Sequence, residues 1–310
     1  KVTTTIDGTL QQEASEALRE GLIAYDRRHG FRGVEDHIIF DELTPNQEIE
    51  FLKLLRTHPR ISGMIAGIVV SIDESVALVW TKEHGIVRVS PNSISWAREY
   101  LTADSRGAIP ANFSELLSVG DIIRVQEILS EKNSEDVTVS ANPRETWGLT
   151  QLPAVEGAIV SVDPTDGAII SLVGGLDFRK SKFNRVTQAR RQVGSNFKPF
   201  LYSAALEKGF TTASIINDAP IVFQTKSALG TWRPENYSGK FFGPTRLRQA
   251  LVRSQNMVSV RLLDSIGIDY AIKYMSRFGY SKTLLPRDLS LALGSGEMTP
   301  LQLATGYSTF

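Results

Sequence analysis

Near the start of the chain, Leu10, Ala14, Leu18, Leu22 and Tyr25 recur at the period of one helix face, and Gly30 supplies a stop. Residues 1–7, rich in Thr, Val and Ile, read as a strand before that helix. A second helix is expected at Thr44, a good N-cap, with Pro45 in the first turn and Gln47 completing a capping box. From residue 63 the texture changes. Segments 63–71, 75–81, 85–90, 121–128 and 136–140 are short, rich in Val and Ile, and parted by turn residues. Five such strands predict a small antiparallel barrel of the OB type. After Gln151, segments 157–163 and 168–175 flank Pro164-Thr165-Asp166-Gly167, the chemistry of a hairpin turn. Beyond residue 195 the pattern is helical. Segments 197–208, 257–266 and 270–278 each run to a glycine, 244–252 leads into Ser254, and Thr299-Pro300-Leu301-Gln302 opens a last helix with the signature of Thr44. The order predicts an α+β protein in which an all-β domain, 31–150, is inserted between 1–30 and 151–310.

Composition narrows the function. The 310 residues suffice for about two domains. Lys plus Arg and Asp plus Glu both count 34, so the net charge is zero and no basic face for nucleic acid is expected. Basic clusters at 178–185 and 245–248 read as solvated surface, and the strands lack the aromatic and basic interleaving of a nucleic-acid binder. The barrel therefore reads as a spacer or protein-docking module. There is no cysteine, which excludes disulfides and thiol nucleophiles. His29, His37, His58 and His84 show no metal spacing, and the carboxylate pairs Glu35-Asp36 and Asp41-Glu42 read as solvated surface. No apolar run spans a bilayer. The chain opens in a strand and closes inside a helical pattern, so it is expected to be a fragment.

The chemistry concentrates in Arg191-Gln192-Val193-Gly194-Ser195-Asn196-Phe197-Lys198-Pro199-Phe200. Residues three apart share a helix face, so Ser195 and Lys198 can meet. Lys198 is flanked by apolar residues, and a buried amine loses basicity and can take a hydroxyl proton. Gly194 lets the backbone turn tightly before the serine. The same residues also read as an N-cap serine and a surface lysine. Ser254-Gln255-Asn256, between two expected helices, adds a hydroxyl for proton relay and an amide able to bind both a substrate amide and the lysine.

Taken together these motifs resemble the class A penicillin-binding proteins. So do Val155 to Pro164, Gly167-Ala168-Ile169, Val173-Gly174-Gly175, Trp232-Arg233-Pro234-Glu235-Asn236-Tyr237, Leu247 to Asn256, Ala292-Leu293-Gly294 and Met298-Thr299-Pro300-Leu301. The resemblance covers 151–310. Thr4-Ile6-Asp7 and Leu10-Gln11 look like the family's entry into its transpeptidase domain, and 31–150 resembles the OB-like domain of Gram-negative members. It implies a penicillin-binding, serine β-lactamase-like fold, an antiparallel sheet with helices, carrying the barrel insert. It implies a DD-transpeptidase for peptidoglycan stem peptides. Ser195 is the nucleophile, Lys198 its base, Ser254 the relay to the leaving D-Ala, and Asn256 holds the donor amide. β-Lactams would acylate Ser195. No cofactor or metal is implied. A protein activator could dock on the insert. The resemblance also implies the periplasmic face of the inner membrane, with the single-pass anchor and a preceding glycosyltransferase domain outside this fragment.

Two departures stand out. Val193 replaces the family's usual proline. The third motif, Lys-Thr-Gly or Lys-Ser-Gly, is absent, since Lys282-Thr283-Leu284 comes too early and lacks the glycine. Two other readings stay open: a serine β-lactamase, which needs a Glu-x-x-Leu-Asn segment not found here, and a non-catalytic scaffold acting through the barrel.

Overall fold

The apolar stripe near the start folds as helix α1 (Gly8–Arg27), which buries Leu18 and Leu22. In the computed structural model, residues 3–40, 44–73, 75–128, 147–224 and 231–310 are described. Residues 3–7 form no strand, contrary to the reading of 1–7. The Asp7 N–H donates to Ile170 O at 3.0 Å, while its carboxylate accepts the Leu10 N–H at 2.9 Å and caps α1. The local Asp cap outcompetes strand pairing over this short stretch.

One compact unit comprises Gln11–Ile159 and Val173–Phe183. It holds α2 (Pro45–Leu54) and strands β1 (Ile65–Ile72), β2 (Ala77–Thr81), β3 (Gly85–Val89), β4 (Asp121–Glu127) and β5 (Trp147–Thr150). Strands β4, β1, β2 and β3 pair antiparallel in that order, β3 meets β5 in parallel, and β5 returns antiparallel to β4. The sheet thus closes into a barrel with no free edge among these strands. Side chains alternate in β1. Ile65 and Val69 enter the interior with Val79, Val125 and Leu149, whereas Ala66 and Ile68 pack under Phe51 of α2. Both faces are covered, which explains the apolar run. Gly67 sits where a Cβ would lie 2.4 Å from Val79 Cγ1, so the strands cross too closely there for any side chain. The expected strand at 136–140 lies outside the described residues.

Two local expectations in this unit change. Thr44 does cap α2, accepting the Gln47 N–H at 3.3 Å, but the Gln47 amide turns to Glu50 instead of closing the box. Glu35 is not free surface. Its carboxylate forks onto Arg124 at 2.8 and 2.9 Å, because that guanidinium is only 3% exposed and needs a counter-ion. Asp41 and Glu42 lie outside the described residues.

The other unit comprises Lys1–Leu10, Val160–Leu172 and Asn184–Phe310. The predicted hairpin is present as β6 (Ile159–Val162) and β7 (Ile169–Val173), with Gly167 at φ 76° in the turn. Helices α3 (Lys198–Glu207), α4 (Leu247–Val252), α5 (Asn256–Ile266), α6 (Ile268–Met275) and α7 (Pro300–Tyr307) follow. Phe197, Phe200 and Leu201 at the head of α3 share one core with Val258 and Leu262 of α5 and Met275 of α6. Thr299 and Gln302 cap α7 reciprocally, as their spacing predicts. One boundary moves. Residues 244–246 belong to a strand, Gly243–Arg246, paired antiparallel with Ile215–Asp218, and the helix begins only at Leu247. Pro244 suits an edge strand as well as a helix start, so the local sequence did not decide between them.

Candidate active site

The nucleophile segment is seated by a glycine contact. Arg191–Gln192 pairs with Glu297–Met298, and the Gly194 N–H then donates to Gly294 O at 3.0 Å. Gly294 has φ 72°, and a Cβ there would fall 1.9 Å from the Gly194 oxygen. No other residue permits that approach. Ser195 lies in the single turn Gly194–Phe197 that opens α3, and Lys198 is the first residue of α3, its N–H bonded to Ser195 O.

Lys198 is 1% exposed, not a surface lysine. Its Nζ reaches Ser254 O at 2.6 Å, Asn256 Oδ1 at 2.7 Å and Ser254 Oγ at 3.0 Å. Burial strips water from the ammonium and pulls its pKa from 10.5 down to about 8. The polar shell suits both protonation states. The ammonium can donate three bonds, whereas the amine keeps those to Ser254 O and Asn256 Oδ1 and can accept from the Ser254 hydroxyl.

Ser254 joins α4 to α5 at φ 52°, in the left-handed region that serine seldom occupies. Bonds from Ser254 N to Leu251 O at 3.0 Å and from Gln255 N to Ala250 O at 2.9 Å hold the turn. The conformation aims both the carbonyl and the hydroxyl of Ser254 at Lys198. Asn256 opens α5, and its Nδ2 donates to Glu235 O at 2.8 Å. Behind it, Asn236 Oδ1 accepts the main-chain N–H groups of Asn256 at 2.8 Å and Met257 at 3.3 Å. Asn236 Nδ2 donates to both oxygens of the buried Asp218, at 2.8 and 3.0 Å.

All four residues singled out from the sequence meet here. Lys198, Ser254 and Asn256 bond directly, and Ser195, Ser254 and Asn256 line one cleft of about 610 Å³ with Tyr237, Phe242 and Arg253. The amine is bonded to the Ser254–Asn256 turn rather than to the Ser195 hydroxyl. Sequence reasoning gave no role to Asp218, Asn236 or Gly294. Asn236 and Gly294 lay inside quoted motifs, which was the available signal; Asp218 carried none.

Comparison with known proteins fits this geometry. The penicillin-binding protein OB-like domain matches residues 31–155, and the penicillin binding protein transpeptidase domain matches residues 157–310. Penicillin-binding protein 1A of Pseudomonas aeruginosa is 43% identical over 311 residues, covering 100% of this chain and 35% of that protein. The Escherichia coli protein of the same name is 38% identical over 310 residues, covering 99% of this chain and 34% of its own length. The chain thus spans about a third of these curated relatives. The crystal structure of penicillin-binding protein 1A from Haemophilus influenzae aligns with a TM-score of 0.81 at 33% identity, over 99% of this chain and 42% of that one. With a closed OB-like barrel in one unit and the Ser-x-x-Lys and Ser-x-Asn elements meeting around a buried lysine in the other, this chain belongs to the class A penicillin-binding proteins.

Proposed function

We propose that this chain carries the acylating centre of a serine DD-transpeptidase that cross-links peptidoglycan stem peptides. The observation that carries the reading is Lys198: a buried amine of lowered pKa, one turn from Ser195, held by Ser254 and Asn256. In the proposed sequence, the Ser195 hydroxyl proton passes to the free amine of Lys198 as Oγ bonds to the carbonyl carbon of the D-Ala-D-Ala amide. The Ser195 main-chain N–H, at the head of α3, receives the developing oxyanion. The C–N bond then breaks, and the departing amine takes a proton from the Ser254 hydroxyl, which recovers one from the Lys198 ammonium. An amine of a second stem peptide attacks the resulting ester, loses a proton to the same relay, and releases Ser195. Asn256 holds the donor's amide. A β-lactam follows the first half of this path and stays as an ester, because its ring nitrogen remains tethered and blocks the acceptor.

The location on the periplasmic face of the inner membrane, the accompanying glycosyltransferase and the docking of a protein activator on the barrel belong to the same proposal and rest on the family resemblance. Among the described residues no helix is long and apolar enough to cross a membrane.

The test is intact mass after exposure of the full-length protein to benzylpenicillin. One stable adduct is expected on the wild type and none on Ser195→Ala. Rapid turnover without an adduct would point to a β-lactamase, and no reaction at all would move the chain to the scaffold reading.

A further inference from the structure

Asp218 is an unusual group to find beside a proton-transfer centre. It is fully buried at the end of the strand Ile215–Asp218, and no cation contacts it among the described residues. A buried carboxylate without a counter-ion is costly unless several donors converge on it. Here they do. Asn236 Nδ2 meets both of its oxygens, Gln255 Nε2 lies at 3.1 Å, and the Phe242 N–H lies at 3.1 Å.

Gln255 is the N-cap residue of α5, yet its side chain makes no cap bond and turns to Asp218. The cap comes instead from a distant residue, since Asn236 Oδ1 takes the first two N–H groups of α5. Asn236 can do this only in one of its two amide orientations. A carboxylate only accepts, so Asp218, together with Lys240 O at 2.9 Å from the same nitrogen, holds the nitrogen of Asn236 away from the helix and the oxygen toward it. The Asn256 side chain is thereby left to bond Lys198 and Glu235.

We propose that Asp218 and Asn236 are positioning residues for acylation: acting through Gln255 and the first turn of α5, they lock the Ser254–Asn256 turn around the Lys198 amine. The inference rests on the transpeptidase reading. Burial is the main cause that pushes the pKa of Tyr202, four residues along α3 from Lys198, up to about 12, and the charge of Asp218 adds to it in the same direction.

The experiment measures benzylpenicillin acylation of the full-length protein, separating the rate constant of the covalent step from the dissociation constant of the preceding complex. Asp218→Asn can donate as well as accept, so it leaves only Lys240 O to hold Asn236 in its orientation. The covalent step is expected to slow by about 10- to 100-fold with the dissociation constant little changed. The exchanged pair, Asp218→Asn with Asn236→Asp, restores an acceptor-only group facing α5 and should recover about tenfold of that loss. The final labelled fraction counts folded protein and the rate reads positioning. An unchanged rate in Asp218→Asn overturns the inference. So does a variant whose labelled fraction alone drops while the remainder reacts at the wild-type rate, or an exchanged pair that labels fully but no faster than Asp218→Asn. A wild type that takes no adduct overturns the transpeptidase reading itself, which keeps the two failures distinct.

Discussion

At the scale of single residues the proposed chemistry rests on Lys198. Its pKa is lowered by burial to about 8, so the free amine becomes the main form as pH rises through that value. If the amine takes the Ser195 proton, acylation by benzylpenicillin should rise about tenfold per pH unit below 8 and level off above it. An ordinary lysine would keep the rate rising toward 10.5. The second-order acylation constant, measured from about pH 6 to pH 10, distinguishes the two; no plateau below 10 would mean that the Lys198 amine keeps its ordinary basicity, and a plateau beginning near 6 would make another group the base. The placement of Ser195 and Lys198 one turn apart at the head of α3 was readable because a three-residue spacing is a local matter of helix geometry. Asp218 was not. Its partners stand 18, 24 and 37 residues away, and Asn217-Asp218-Ala219-Pro220 looks like any surface turn until its strand pairing is known.

At the scale of elements, the site depends on where backbones touch. Gly194 and Gly294 meet without a Cβ between them, and this contact fixes the turn that carries Ser195. Gly294→Ala should cost on the order of 2–4 kcal/mol, combining backbone overlap with a left-handed φ, and should slow acylation in the molecules that still fold. Gly167→Ala is the matched control. Its φ is also positive, at 76°, but nothing lies within 4 Å of the added methyl. It should cost about 1 kcal/mol from the φ alone and leave acylation unchanged. Equal effects of the two substitutions on the labelling rate would deny the contact its role. The glycine-ended helices and the hairpin were legible, since their signals sit within a few residues of the structure they cause. The pairing of Ile215–Asp218 with Gly243–Arg246 was not, because Pro244 fits either element locally and only the long-range partner decides.

At the scale of the whole molecule, the chain builds separate cores in its two units, and the first of them is assembled from two separated stretches of sequence. The texture change at residue 63 showed the barrel from sequence, because short Val- and Ile-rich strands differ plainly from the helical pattern around them. The strand that closes it did not show, since β5 is placed by meeting both β3 and β4 across distant positions. Separate cores imply separable energetics: substitutions sharing no partners act additively. Leu149 is fully buried in the barrel, so Leu149→Ala should destabilise that unit by about 2–5 kcal/mol. Hydrogen exchange on the full-length protein should then show lost protection in β1 and β4, unchanged protection in α3, and an unaltered rate of Ser195 acylation. Leu262→Ala, in the core that seats α3, should reverse the pattern. If barrel damage slowed acylation as much as damage next to α3, the turn that carries Ser195 would depend on more than its own core, and the barrel would be part of the machinery rather than an independent module.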